Sequence, residues 1–142
     1  MGKHTAHGYL VEDVYKEAEK FTKLFGFKPA RIDETFAGFP MEGKVEFFLW
    51  QWKHLEDNLG KEVMAKVKYR DQQAIRCDTP EEVDEAYEQL KAEGMEFISE
   101  PNEWNARCVY FLDASGHMWE IYCWTGAVPL GDLDPAKEKN GL

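Results

Sequence analysis

The sequence lacks any long run of apolar residues, and this absence argues against a membrane-spanning protein. A helix that crosses a bilayer needs roughly 20 consecutive apolar residues, and no run in this chain approaches that length. The opening residues, MGKHTAHGYLVED, also lack the apolar segment of a signal peptide. We therefore expect a cytoplasmic protein with no membrane partner.

Cysteine is scarce as well. The chain holds three cysteines, Cys77, Cys108 and Cys123, with no CxxC pair among them. An odd number of widely spaced cysteines in apolar, strand-like segments is typical of unpaired thiols in a reducing compartment. We expect three free thiols.

Basic residues are outnumbered, which bears on the class of partner. The chain has 17 lysines and arginines against 27 aspartates and glutamates, a net charge of −10. Nucleic acid is not an expected partner, because phosphate backbones are bound by basic surfaces. The acidic balance favours cationic ligands, although most of these acids lie on predicted helix surfaces, where solubility explains them as well.

What the sequence does contain is one pattern that occurs twice. In the first copy, the strand-like HGYLV is followed by Asp13 as a helix N-cap, an amphipathic helix, and Gly26 at its end. In the second copy, QAIRC is followed by Thr79 as N-cap, another amphipathic helix and Gly94. The unit recurs after about 65–68 residues, which indicates duplication.

Strand-like segments follow each helix, so each half is predicted to be a βαβββ module. We place the modules at residues 5–52 and 71–124, with a connector at 53–70 that carries a short helix and an irregular extension at 125–142. With 44% apolar and 31% charged residues, the whole of 1–142 is predicted to be one domain. The expected fold class is α+β, a curved mixed sheet around a concave cavity with the helices outside.

The last strand of each module carries the same short pattern, E-x-x-x-W. Because successive side chains of a strand alternate between its two faces, each glutamate shares a face with a row of aromatic side chains. The residues predicted on the concave face are Glu46, Phe48, Trp50 and Trp52 in the first module and Glu120, Tyr122 and Trp124 in the second. The sequence therefore predicts an aromatic-walled cavity that contains carboxylates.

The chain resembles the vicinal oxygen chelate superfamily, which includes glyoxalases, extradiol dioxygenases, fosfomycin-resistance thiol transferases and bleomycin-binding proteins. The resemblance covers about residues 5–124 and depends on the paired modules, the opening from Asp13 to an FGF segment, and the ending YFLDASGHMWEIY. That ending is the most specific part, since the family usually has D-x-x-G-x-x-x-E there, as Asp113, Gly116 and Glu120 do.

The resemblance implies positions for a divalent metal such as Zn, Ni, Fe or Mn. The family's metal-using members hold it with residues from the first, fifth and eighth strands, usually two histidines and a glutamate, and some add a glutamate from the fourth. Here the first-strand position is Ala6, which offers no lone pair. The candidate ligands are Glu120, Gln72, Glu46 and, in place of Ala6, His4 or His7.

Glu120 has three further interpretations that need no metal. Arg76 is predicted to share a face with Gln72 and Ala74, and a guanidinium can hold a partly buried carboxylate ionised. An Arg76–Glu120 or Arg76–Glu46 pair would then fill the metal position. Alternatively, Glu120 contacts a ligand directly or is protonated in an apolar pocket.

Three functions follow from these patterns. The favoured hypothesis is a binding protein of the bleomycin-resistance type, which holds a planar or cationic small molecule without chemistry. The alternative is a metal-dependent lyase or isomerase of the glyoxalase kind, with Glu120 as the catalytic residue. An extradiol dioxygenase is less favoured, because the sequence does not show the two histidines and one carboxylate that hold its metal. A third class is an accessory domain whose cavity is filled by its own aromatic side chains.

The ligand-binding prediction extends to both halves of the chain. Its candidate residues are Glu46, Phe48, Trp50, Trp52, Gln72, Arg76, Tyr110, Tyr122 and Trp124. His54 is interpreted as a surface residue, and Trp104 as part of a lid or a dimer contact. A homodimer is expected by resemblance to the family.

Overall fold

The structure, a computed structural model, describes residues 2–41 and 45–126. The elements of the first half are β1 (Lys3–Val11), α1 (Val14–Phe25), β2 (Arg31–Ile32), β3 (Phe36–Phe39) and β4 (Glu46–Gln51). Two helices connect the halves, α2 (Trp52–Leu59) and α3 (Lys61–Ala65). The second half comprises β5 (Asp71–Arg76), α4 (Pro80–Ala92), β6 (Glu96–Phe97), β7 (Asn102–Glu103), β8 (Ala106–Leu112) and β9 (Met118–Trp124).

The strands form one mixed sheet with the order β2-β3-β4-β1-β5-β9-β8-β6, and β7 pairs with β8 off this path. Strands β1 and β4 run parallel, as do β5 and β9, while β1 and β5 join the two halves as an antiparallel pair. The predicted α+β class is confirmed, with a curved, unclosed sheet built from two similar halves. The short strand β7 is an addition to the predicted pattern.

Both helix N-caps predicted from the sequence are confirmed. Asp13 accepts a hydrogen bond from the backbone N of Lys16, and Gly26 ends α1 with φ of 73°, a left-handed conformation that glycine adopts without strain. In the second half, the Thr79 hydroxyl accepts from the backbone N of Glu82 at the start of α4. These caps explain why both helices begin and end where the sequence indicates.

The two long helices cover the convex face of the sheet. Val14 and Ala18 of α1 pack against Leu49 and its neighbours, and Val83 and Ala86 of α4 belong to a second cluster on the same side. Helix burial of this kind leaves the opposite face of the sheet available for other contacts.

The connector differs from its prediction. It forms two helices instead of one, and they lie on the concave face, since Leu55 of α2 and Met64 of α3 pack in the same cluster as Phe48, Tyr110 and Met118. These helices fill one end of the concave face. The cavity that remains is lined partly by α2 itself, through His54.

The prediction for Trp52 is wrong because β4 ends one residue earlier. Trp52 is the first residue of α2, so the alternation of strand faces no longer applies to it. The Arg70 guanidinium lies over its ring, with the guanidinium carbon 4.0 Å from the ring centroid. Trp52 therefore supports the connector instead of lining the cavity.

Within the described part of the chain, no helix has the length and apolar character needed to cross a bilayer. Cys77, Cys108 and Cys123 are buried and free, as predicted. Most of the extension at 125–142 lies outside the described residues.

Candidate functional site

A cavity of about 320 Å³ opens on the concave face. Among the residues predicted from the sequence, those that line it are Glu46, Phe48, Trp50, Glu120, Tyr122 and Trp124. Residues that sequence reasoning did not place there include Arg31, Thr35, Phe36, His54, Trp104 and Asn105. The structure thus brings together side chains from both halves, and alternation from the two glutamates locates most of the strand-borne lining.

Glu46 and Glu120 occupy mirrored positions in one row across the sheet. Glu46 pairs with Ala6, Ala6 with Ala74, and Ala74 with Glu120. Neighbouring strands lie about 4.8 Å apart, so the two glutamate backbones are separated by roughly 14 Å along the sheet. The two alanines between them lie on the cavity surface.

This register changes the interpretation of Gln72, the candidate metal ligand on β5. Ala6 and Glu46 in the first half correspond to Ala74 and Glu120 in the second, so Ala74, and not Gln72, is the counterpart of Ala6. Gln72 pairs with Gly8, one row further along. Both positions between the glutamates are therefore occupied by a side chain with no donor atom.

His4 does not replace the missing ligand. The pairing of β1 with β5 shifts register between His4 and Ala6, and such a bulge reverses the face on which the preceding residues lie. His4 consequently hydrogen-bonds the Gln73 side chain through its Nε2 at 2.8 Å and contacts the Trp119 ring. The prediction that His4 shares the face of Ala6 is wrong.

The donor set does not fit a divalent metal ion of the kind the family holds. Zinc and related ions need three or more protein donors within bonding distance. Among the described residues, no group of three or more histidine, cysteine, aspartate or glutamate side chains is placed to hold one. The row offers two carboxylates on either side of Ala6 and Ala74.

Glu120 is held by two neutral partners. The Tyr110 hydroxyl donates a hydrogen bond to Oε2 at 2.5 Å, and the Gln72 amide donates to Oε1 at a longer 3.4 Å. Burial raises the pKa of Glu120 to about 7, and the Tyr110 hydrogen bond opposes this rise. A carboxyl group with this pKa holds its proton in a substantial fraction of molecules near neutral pH.

Arg76 does not supply a counter-ion to Glu120 within the described part of the chain. The side-chain hydrogen bonds of Glu120 are with Tyr110 and Gln72, and among the described residues no ion pair joins it to Arg76. Arg76 pairs with Lys3 and Tyr122 in the sheet, two residues further along β5 than Ala74, which pairs with Glu120. The predicted Arg76–Glu120 pair is therefore not formed, while the Arg76–Glu46 pair stays a prediction.

Glu46 is accommodated by a glycine on the neighbouring strand. Its side chain is buried, and a Cβ atom at Gly38 of β3 would overlap the Glu46 carboxylate and touch the Phe36 ring. A strand glycine often marks such a close approach. Gly38 therefore makes the space in which the Glu46 carboxylate lies.

The two tyrosines differ in their position. Tyr122 lines the cavity, and its hydroxyl is 2.8 Å from the Thr5 hydroxyl. Tyr110 lies beneath Glu120, fully buried and outside the lining, and burial raises its pKa well above the usual value. Tyr110 thus acts on the cavity through Glu120.

An aromatic cluster at the cavity mouth was only partly predicted. The His54 ring stacks on Trp50, with centroids 5.4 Å apart and planes 9° from parallel, and Trp104 lies within 6 Å of both. The interpretation of His54 as a surface residue is wrong, because α2 starts directly after β4 and brings it back over Trp50. Trp104 lines the cavity, and its role in a lid or in a dimer contact stays a prediction.

The turn between β8 and β9 sets the register of Glu120. Asp113 accepts hydrogen bonds from the backbone N of Ser115 at 2.9 Å and of His117 at 3.0 Å, and Gly116 has φ of 88°. This closed turn fixes the pairing that places Tyr110 opposite Glu120. The D-x-x-G-x-x-x-E pattern therefore has a structural reason.

Comparison with known proteins gives a family and a fold. The family model "Glyoxalase/Bleomycin resistance protein/Dioxygenase superfamily" matches residues 3–121. No curated protein matches the chain.

Among solved structures, the chain is similar to one described as an NAD-dependent benzaldehyde dehydrogenase from Legionella pneumophila, at 20% identity and a TM-score of 0.71, over 84% of this chain and 98% of that one. It is also similar to a hypothetical protein from Bacillus halodurans C-125, at 13% identity and a TM-score of 0.60, over 90% and 98% of the two chains. A superfamily member from Vibrio splendidus 12B01 gives 14% identity and a TM-score of 0.53, over 83% and 96%. At these identities the likeness shows the fold alone.

Proposed function

We propose, from the premise that the chain belongs to the Glyoxalase/Bleomycin resistance protein/Dioxygenase superfamily, that it binds a flat aromatic or cationic small molecule in the concave cavity. Binding in this proposal uses no metal ion. The observation that carries it is the row in which two alanines separate Glu46 from Glu120 beneath aromatic walls.

The walls supply the attraction for such a molecule. Phe48 and Trp50 come from the first half, Tyr122 and Trp124 come from the second, and Trp104 lies at the mouth. Ring stacking and cation–π contacts each contribute roughly 0.5–2 kcal/mol. Three such contacts sum to roughly 1.5–6 kcal/mol, which supports affinity in the millimolar range before burial of the ligand surface is added.

The cavity volume limits the ligand. An apolar cavity of about 150 Å³ is large enough to hold benzene, so a cavity of about 320 Å³ suits a molecule of about two fused rings. Volumes of this order are at the lower end of ordinary small-molecule sites. The void on the concave face also argues against an accessory domain whose own side chains fill the cavity.

Calorimetric titration with bicyclic aromatic compounds tests this function. We expect saturable binding that Trp50→Ala weakens by about tenfold, since it removes a stacking surface. Tyr15→Ala is the control, because Tyr15 is an exposed aromatic side chain on α1 and does not line the cavity. Equal loss in both variants, or no binding of any bicyclic aromatic compound, would contradict the proposal.

Metal analysis separates this function from the metal-dependent lyase or isomerase. Protein purified without chelator is expected to hold far less than one equivalent of Zn, Ni, Fe or Mn. A full equivalent that disappears in Glu120→Ala would overturn the proposal and favour the lyase, with Glu120 as its catalytic residue.

The remaining parts of the proposal concern location and assembly. The three free, buried thiols support a reducing compartment such as the cytoplasm. A homodimer stays a prediction from the family, and light scattering after size-exclusion chromatography checks it.

A further inference from the structure

Glu120 lines the cavity, and none of the described residues places a positive charge beside it. Its two hydrogen-bond partners, Tyr110 and Gln72, are both neutral. Arg31 also lines the cavity, but it lies on β2, several strands away in the sheet, and forms an ion pair with Asp33 at 3.1 Å. Glu120 is partly buried, and a carboxylate largely removed from water with no counter-ion is destabilised, so it either keeps its proton or acquires a cation.

The other groups that face Glu120 do not change this. On β8, burial raises the pKa of Cys108 to about 12 and that of Tyr110 well above its usual value, so both are neutral. Across the cavity, burial lowers the pKa of His54 on α2, which favours its neutral form, and Glu46 on β4 adds a second acid. Within residues 2–41 and 45–126, no side chain supplies a positive charge next to Glu120, and a ligand can supply one.

The aromatic walls decide what kind of cation fits. Glu120, Tyr122 and Trp124 alternate along one face of β9, and the Tyr122 and Trp124 rings lie edge to face with centroids 5.6 Å apart. A ring nitrogen carries its proton in the plane of the ring, so a flat molecule can stack by its faces and donate from its edge. An aliphatic amine offers the charge without the stacking surface.

We infer that the ligand is a flat nitrogen heterocycle of about two fused rings, bound with a proton on its ring nitrogen and donating that proton in a hydrogen bond to the Glu120 carboxylate. This inference rests on the proposed function and narrows its ligand class. One proton is involved: it moves from the Glu120 carboxyl oxygen to the nitrogen lone pair when a neutral base binds, and returns when the base leaves. No other bond changes.

Three probes of one shape test the inference: isoquinoline, naphthalene and the N-methylisoquinolinium ion. Isoquinoline provides ring nitrogen and proton acceptance, naphthalene provides the rings alone, and the methylated ion provides the charge without an N–H donor. A charge-assisted hydrogen bond adds about 1.5–3 kcal/mol, so we expect isoquinoline to bind at least about tenfold more tightly than naphthalene. Bound isoquinoline should show the absorption spectrum of its protonated form in neutral buffer.

Variants assign the effect to Glu120. Glu120→Gln keeps the size of the side chain but cannot give up a proton, so isoquinoline should lose its advantage over naphthalene. The matched control is Glu85→Gln, since Glu85 is exposed on α4, and it should retain the advantage.

The outcomes separate this inference from the proposed function. Equal binding of isoquinoline and naphthalene overturns the inference and leaves the proposed function intact. Tighter binding of the methylated ion than of isoquinoline also overturns it, since charge alone then suffices. If none of the three probes binds, the proposed function fails and the inference fails with it.

Discussion

Ala6 faces Ala74 across the antiparallel pairing of β1 and β5, and this pair lies between Glu46 and Glu120 in one row of the sheet. The two halves thus keep matching acids at matching positions and lose a donor atom at both positions between them. These four residues form the base of the cavity, with an acid at each end, and the aromatic side chains around them leave room for a ligand.

Restoring donors at both alanines should create a metal site. In the double variant Ala6→His with Ala74→His, two imidazoles would lie between two carboxylates, a donor set that suits Zn or Ni. After loading and desalting, we expect about one equivalent of metal in the double variant and far less in the wild type. Elemental mass spectrometry measures this.

The control for the metal site adds Glu120→Gln to the double variant, which should lower the bound metal. A double variant that is folded by circular dichroism yet binds no metal would show that the four positions do not converge. That result would remove the correspondence between the two halves on which the site is built.

The sequence predicted the row only in part, and the reason is the nature of strand pairing. Alternation along one strand is local, so it correctly placed Glu46 and Glu120 on the concave face. The pairing of one strand with the next is not local, and a shift of one residue exchanges faces. The bulge between His4 and Ala6 is such a shift, and no residue in KHTAH indicates it.

The helix at the cavity mouth was missed for a related reason. The segment WKHLEDNL follows β4 with no side-chain N-cap hydrogen bond at Gln51, so the usual start signal is absent. Its packing on the concave face is decided by tertiary contacts of Leu55. Caps with clear signals, at Asp13 and Thr79, were predicted at the right positions.

The stability of the protein should depend on pH through Glu120. Burial raises its pKa from 4.5 to about 7. Below the lower value the side chain is protonated in both states. Between the two values the unfolded chain releases the proton while the folded chain keeps it, so the free energy of unfolding falls as pH rises. Above the higher value the loss is complete, at about 3 kcal/mol.

Glu120→Gln tests this dependence, because glutamine is neutral throughout. We expect the free energy of unfolding of the variant to rise, relative to that of the wild type, by about 3 kcal/mol between about pH 4.5 and 8. Urea denaturation across this interval measures the difference. Glu85→Gln, an exposed substitution on α4, serves as the control and should follow the wild type. A wild-type curve parallel to that of Glu120→Gln would mean that Glu120 is already ionised in weak acid.

Tyr110→Phe should raise the pKa of Glu120 above about 7. The Tyr110 hydroxyl donates to the carboxylate and so favours its charged form, while burial does the opposite. Removing the hydroxyl leaves the burial effect opposed only by the longer Gln72 hydrogen bond. Titration of a carbon-13 label in the glutamate carboxyl groups measures the change, and Tyr122→Phe is the control, since its hydroxyl pairs with Thr5. An unchanged or lowered pKa in Tyr110→Phe would contradict this hydrogen bond.

Gly38→Ala should destabilise the protein through the Glu46 carboxylate. A Cβ atom at Gly38 would overlap a carboxylate oxygen of Glu46 and come within 3.0 Å of the Phe36 ring, and overpacking of this kind costs about 1–3 kcal/mol. Removing the carboxylate first, with Glu46→Ala, should make the same substitution much less costly. Urea denaturation of the wild type, both single variants and the double variant gives a coupling energy, expected at about 1–2 kcal/mol in favour of the double variant. Strictly additive losses would mean that the Glu46 side chain points elsewhere, and the acidic end of the row contributed by β4 would then not belong to the cavity.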